Sequence, residues 1–198
     1  MLTALFYAMP SEINSLIHDA APMEVVHGVS FYRLRDNLMA CCGGVGKVNA
    51  AMAAALLIER YHPDLIINVG VAGCFEEVPI GTLVLAEDFI QHDVDTTAVG
   101  DPIGLVSTVN QVSFPTWEPE HCVELLKELG FTAVTGRVAS GDWFATKTPR
   151  AEWIRDTFSP LLVEMEGCAI AQVCCRAEVP FVSIKAVSDR VFHDGNGD

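Results

Sequence analysis

The chain has 198 residues, and 26 acidic against 12 basic side chains leave a formal net charge of −14. A hydrophobic fraction of 51% with only 19% charged residues excludes intrinsic disorder. The acidic balance also argues against a nucleic-acid binder, which needs a basic stripe to neutralise phosphates, and against docking on anionic lipid.

Leu2–Ala8 is an apolar run without clean alternation, the pattern of a strand covered on both faces in a parallel sheet. It reads as a buried first strand rather than a signal peptide, because no positive start or cleavage site accompanies it. Pro10 suits a first helical turn, and Ile13, Leu16, Ile17 and Ala20 follow at helical spacing. Val29–Leu34 and Asn37–Cys42 predict a hairpin around Arg35-Asp36. Lys47–Tyr61 predicts a long helix, apolar almost all round and hence buried. Strands are expected at Leu65–Val69, Thr82–His92, Thr132–Ala139, Leu161–Glu164 and Pro180–Val187. Helices are expected at Glu118–Leu129, stopped by Gly130, at Pro149–Thr157 and at Glu166–Ala177. Asp93–Pro119 has weak periodicity and reads as a long loop region of the kind that often carries function.

This alternation predicts one α/β domain over 1–198 with a mixed central sheet flanked by helices. No apolar stretch approaches the roughly 20 residues a membrane span requires. The seven cysteines, Cys41, Cys42, Cys74, Cys122, Cys168, Cys174 and Cys175, are odd in number and lack metal-ligand spacing. They are expected to be reduced, packed as small hydrophobes in a cytoplasmic protein, with no metal and no cofactor.

In open α/β sheets, ligands bind beyond the carboxyl ends of the strands. The residues after the predicted strands are Met9-Pro10-Ser11-Glu12, Gly43-Gly44-Val45-Gly46-Lys47, Gly70-Val71-Ala72-Gly73, Ser140-Gly141-Asp142-Trp143-Phe144, Met165-Glu166 and Ser188-Asp189. Glycines, carboxylates and one aromatic pair therefore collect on one expected edge. Gly43–Lys47 is not a phosphate-binding P-loop, since Val48 stands where a Ser or Thr would bind magnesium, and Asn49 spoils a dinucleotide motif. Each glycine segment is either a tight strand-to-helix turn or a place of close backbone approach to a small ligand.

The carboxylates have plain structural readings as well. Glu12 could stabilise a helix start through the macrodipole, or act as a general base. In Glu164-Met165-Glu166, one carboxylate can cap the following helix while the other faces the cleft. Asp189 could cap a turn with Ser188, or supply an acid. His92-Asp93-Val94-Asp95 lacks further metal ligands and is assigned to a strand end or loop, and His193-Asp194 to a solvated tail. Trp143-Phe144 suits either core or, on this edge, stacking against a heteroaromatic base.

The segments AMPSEI, GGVGKVNAA, LIINVGVAG, SGDWF, LLVEMEGCAIAQVC and PFVSIKAVSD, in this order from Ala8 to Asp189, resemble the 5'-methylthioadenosine/S-adenosylhomocysteine nucleosidases of the nucleoside phosphorylase superfamily. VEME, a small-residue helix and then a strand ending in SD carry most of the specificity. The resemblance implies a nucleoside phosphorylase-like three-layer sandwich, a homodimer, and hydrolysis of the bond between adenine and a 5'-thio-substituted ribose in methionine salvage. By position, Asp189 would protonate the purine with Ser188 orienting it. Glu12 would activate water, and Glu166 would grip the ribose hydroxyls with Met165 against the sugar. Phe144 would stack on the base, with Trp143 beside it, Met9 and Val45 would line the sugar and alkylthio side, and Ala72 and Gly73 would also bind the substrate.

Three departures from the family pattern stand out. Val71 replaces a common Ser. Thr96 and Val99 occupy a loop from which relatives supply residues across the dimer. The chain ends at Asp198, where relatives continue into a further helix. A phosphorylase of the same superfamily would need cationic groups for phosphate, and the corresponding places hold Met9-Pro10-Ser11 and Asn68. An aminodeoxyfutalosine hydrolase would differ only at the 5' substituent. A non-catalytic nucleoside-binding module would have no need of Glu12 together with Asp189.

Overall fold

A computed structural model of the chain describes residues 1–17 and 20–192. The His193-Asp194 tail lies outside them. Among the described residues, ten strands share one mixed sheet, which helices flank.

Strand β1 (Thr3–Tyr7) lies between β4 (Leu38–Cys42) and β5 (Leu65–Cys74), parallel to both. Its apolar run serves two faces, as its lack of alternation predicts. Ala4 and Phe6 join the largest core cluster, while Tyr7 packs with Ile13 and Ile17 in another. Truncating a fully buried ring such as Phe6 to alanine costs about 3–5 kcal/mol. The predicted hairpin is β3 (Val29–Arg35) with β4, and a short β2 (Glu24–Val26) extends that edge.

The other half of the sheet closes on itself. β5 pairs with β9 (Leu162–Glu164) and with β10 (Phe181–Arg190). β10 pairs with β6 (Leu83–Gln91), β6 with β8 (Ala133–Ser140), and β8 with β9. Within the predicted loop, β7 (Ser113–Pro115) adds to β6 and residues Thr97–Val99 form a 3-10 turn. The loop expectation for Asp93–Pro119 therefore holds only between these elements.

Helices α2 (Lys47–Tyr61) and α5 (Gly167–Ala177) pack against each other on one face, through Ala50, Ala53, Leu57, Cys168 and Ala171. α1 (Asn14–Ile17) and α3 (Pro119–Glu128) serve other clusters, and α4 (Pro149–Phe158) fills a further one with Ile154 and Phe158.

Three expectations need correction. The helix predicted from Pro10 is a 3-10 turn, Pro10–Glu12, followed by the four-residue α1. α2 is not buried all round: Val48 is 78% exposed and Met52 also faces outward, because only one side of the helix meets α5 and the sheet. Gly70–Gly73 and Ser188-Asp189 do not follow their strands but continue them, β5 and β10: Gly70–Ala72 pair with Lys185–Val187, and Gly73 pairs with Asp189. That pairing slips between Val187 and Asp189, leaving Ser188 as the extra residue of a bulge. Bulges re-aim side chains and are common beside sites.

Candidate active site

A cavity of about 240 Å³ opens where the ends of β1, β5, β8, β9 and β10 come together. Every sequence-predicted site residue lines it. Glu12, Met9 and Val45 come from the segments after β1 and β4. Ala72 and Gly73 come from β5, Trp143 and Phe144 from the segment after β8, Met165 and Glu166 from the β9–α5 junction, and Ser188 and Asp189 from the bulge.

Glu12 is held by backbone alone. Its Oε2 accepts from the N–H groups of Ala8 and Met9, each at 2.8 Å, and its Oε1 lies 3.4 Å from the Val71 N–H. Glu12 thus stabilises the start of the 3-10 turn, as its structural reading expects, through direct hydrogen bonds from local N–H groups rather than a long-helix dipole, since α1 is only one turn long. A Cβ added at Gly70 would stand 2.5 Å from Glu12 Oε1, so glycine is there to let β5 approach the carboxylate. Neither Gly70 nor Gly73 has the positive φ of a turn glycine, which decides for close approach in this segment. Gly44 and Gly46, with φ of 83° and 93°, form the expected tight turn into α2.

The two glutamates of VEME divide their work. Glu164 accepts from the Gly167 N–H at 2.9 and 2.8 Å and from the Glu166 N–H at 3.2 Å, capping α5. It also pairs with Lys185 Nζ at 3.1 Å and accepts from the Ser140 hydroxyl, which itself accepts from the Cys168 N–H at 2.8 Å. Glu166 instead faces the cavity, its Oε1 accepting from the Gly46 N–H at 2.7 Å. Burial pushes its carboxyl up to about 7, and neighbouring Glu164 adds to the rise, against the pull of the Gly46 N–H and of Lys185.

Asp189 sits beside Gly73, where an added Cβ would come within 3.3 Å of Asp189 Oδ2. The Ser188 hydroxyl lies 2.6 Å from Asp189 Oδ1 and 3.1 Å from the Ala72 carbonyl. Its single proton can go to either acceptor, so Ser188 can donate to an ionised Asp189 or accept from a protonated one. Phe144 is 72% exposed at the mouth, the position of a stacking surface rather than of core. Trp143 does both: it lines the cavity, meets His92 edge-on at 6.2 Å and carries Arg150 over its ring at 4.7 Å. His92 is buried at the strand end and Asp93 pairs with Lys47, in keeping with a structural reading of that motif. No group of metal-ligating side chains occurs among the described residues.

The sequence reading missed Lys185, and it put Ser140 and Asp142 on the ligand-binding edge without giving them a role. Lys185 had a signal: it interrupts the apolar strand PFVSIKAV, and a lysine 2% exposed in such a run needs a buried anion. Ser140 and Asp142 had none beyond their place at a strand end.

The Phosphorylase superfamily profile matches residues 3–198. A 5'-methylthioadenosine/S-adenosylhomocysteine nucleosidase of Geobacillus kaustophilus is 39% identical over 203 residues, covering 96% of this chain and 84% of the relative. Among solved structures, the 5'-methylthioadenosine/S-adenosylhomocysteine nucleosidase of Campylobacter jejuni superposes with a TM-score of 0.90 at 31% identity, covering 100% of this chain and 90% of that one. The S-adenosylhomocysteine nucleosidase of Streptococcus pyogenes, in complex with 5-methylthiotubericidin, gives 0.86 at 33% identity, with 96% and 84% covered.

Proposed function

The chain belongs to the phosphorylase superfamily, and from that premise we propose that it hydrolyses the N-glycosidic bond of 5'-thio-substituted adenosines, such as 5'-methylthioadenosine and S-adenosylhomocysteine, to adenine and the thioribose. The observation that carries the reading is the meeting of Glu12, Glu166 and Asp189 around one cavity rimmed by an aromatic ring.

Adenine stacks on Phe144, and Glu166 accepts from the ribose hydroxyls with Met165 against the sugar. Asp189 donates its proton to the five-membered ring of the purine, so the C–N bond breaks with its electron pair going to a neutralised leaving group. Positive charge develops on the sugar as an oxocarbenium-like species. Glu12 takes a proton from water as its oxygen bonds to the anomeric carbon. Gly70, beside Glu12, and Gly73, beside Asp189, are three positions apart, roughly 10 Å along an extended strand. That leaves room for both a sugar and a water between the two groups.

Water rather than phosphate is the nucleophile, because the described lining holds Glu12, Glu164, Glu166 and Asp189 and no Lys or Arg. The test is adenine release from 5'-methylthioadenosine with and without phosphate. Release without phosphate is expected; a strict phosphate requirement, or no release from any 5'-thioadenosine, overturns the reading.

We further read the working form as a homodimer in a reducing, cytoplasmic setting. Val48 and Met52 on α2, Val99 at 80% exposure and Phe144 at the cavity are exposed apolar side chains that a second copy could cover. All seven cysteines are free, and no described helix is long and apolar enough to cross a membrane. Light scattering should give twice the chain mass; a monomer at assay concentration would remove the dimer.

A further inference from the structure

Close in the chain to the cavity-lining Val45 and Trp143, three segments close a polar ring that the proposed chemistry does not use. The Lys47 N–H donates to Asp142 Oδ1 at 2.8 Å. The Asp142 N–H donates to Asp93 Oδ2 at 3.0 Å. Asp93 Oδ1 receives the Lys47 ammonium at 2.6 Å, and the same ammonium donates to Gln91 Oε1 at 2.8 Å. The Lys47 and Asp93 side chains are 17% and 19% exposed, so the pair is largely shielded from water.

Each arm of the ring ends on something the substrate would touch. Lys47 follows Gly46, whose N–H holds Glu166 Oε1. Asp142 comes two residues before Phe144 and presses so close to Gly46 that an added Cβ there would lie 3.0 Å from its Oδ1. Asp93 ties both to the end of β6. The ring thus spans from the ribose-gripping carboxylate to the base-stacking aromatic.

We propose that Lys47, Asp93 and Asp142 are positioning residues, which aim the Gly46 N–H at Glu166 and seat the 141–145 segment so that ribose and base are held at one fixed separation. The proposal rests on the nucleosidase reading for what is bound, but not for the state of Glu166. That carboxyl faces Glu164 from β9, Lys185 from β10, Glu12 after β1, Asp189 across the cavity and the Gly46 N–H. Of these, the ring acts on the last. Burial still acts to raise the Asp93 carboxyl, but the Lys47 ammonium and the Asp142 N–H outweigh it and hold Asp93 below the usual carboxylate range, so the ring stays charged at neutral pH.

The test compares Asp142→Ala, Asp142→Asn and Lys47→Met with Arg137→Met, which breaks an ion pair on β8 away from the cavity and serves as a control for lost stability. Titration of Glu166 is followed by carboxyl NMR in the unliganded protein, and KM and kcat by adenine release. With the Gly46 N–H slackened, Glu166 should titrate higher in Asp142→Ala and Lys47→Met, with KM raised roughly 10- to 100-fold and kcat changed much less. Asp142→Asn keeps an acceptor for the Lys47 N–H and should recover most of both. A wild-type Glu166 titration in Asp142→Ala, with only a lower melting temperature as in Arg137→Met, overturns the proposal. A wild-type chain that releases no adenine would instead remove the assigned substrate, and the NMR titration would still decide the ring's role.

Discussion

Two concave regions sit on the same sheet, and the larger is not the proposed site. A groove of about 640 Å³ runs over β6 and β8, lined by Glu87, Asp88, Thr135 and Arg137 among others. Its charges satisfy one another: Arg137 grips Asp88 through two bonds of 2.8 and 2.7 Å and donates to the Phe158 carbonyl at 3.1 Å, while Thr135 donates to Glu87 at 2.5 Å. In the cavity, by contrast, Glu12 and Glu166 are held by backbone N–H groups and Asp189 by a serine hydroxyl. Those carboxylates keep capacity to accept or give protons to a guest. Volume measures room; what distinguishes a reactive site is acid and base groups whose partners leave them incompletely committed.

The sharpest way to break this contrast is to remove the cavity carboxylates without changing their shape. Asp189→Asn and Glu12→Gln should each slow adenine release by about 10²–10⁴-fold, with the fold retained by circular dichroism. If both variants kept most activity, the assigned roles would be wrong. Next comes Lys185→Met, which leaves Glu164 buried without its cation; breaking such a pair costs about 3–5 kcal/mol, to be read from urea unfolding. An undiminished stability would mean that Ser140 and the α5 N–H groups suffice for Glu164.

Glu166 offers a pH test. Its carboxyl is raised in the folded state, so the favourable contribution is full below the unfolded value near 4.5 and is lost as pH rises through about 7. Glu166→Gln should therefore gain stability relative to the parent as pH climbs across that window, by at most about 3 kcal/mol. The acid limb that Glu166 ionisation gives kcat/KM near pH 7 should also vanish in this variant. Smallest of all should be Arg137→Met in the groove. The pair is half-buried, so a modest loss of stability is expected, and adenine release should not change. A large loss of turnover there would erase the distinction between the two regions.

Much of the fold was legible because it is written in short-range pattern. The helix Lys47–Tyr61 was bounded correctly by its run of small and apolar residues after a glycine turn, and the hairpin by two β-rich runs around Arg35-Asp36. Where pattern misled, a partner segment decided. Pro10 and the apolar spacing after it suggested a full helix, but a 3-10 turn wraps Glu12 back onto the Ala8 and Met9 N–H groups instead. By pattern alone Gly70–Gly73 could be a turn or a place of close backbone approach; β10 pairs along the whole stretch and keeps it extended, which decides for the latter. The site residues carried their signal in family motifs and strand-end placement, whereas Asp142 became visible only through the two segments it joins.

By itself, then, the amino-acid order determined an α/β alternation, a set of glycines and carboxylates at strand ends, and an aromatic pair beside them. Only the tertiary structure decided that the Gly46 N–H meets a carboxylate 120 positions away and that the Val71 N–H faces one 59 positions back. It alone placed an extra residue in β10 to aim Asp189. The reason is physical: periodicity and turn chemistry act over a few residues, while strand register, close backbone approach and the sharing of one cavity depend on contacts that chain collapse must first bring together.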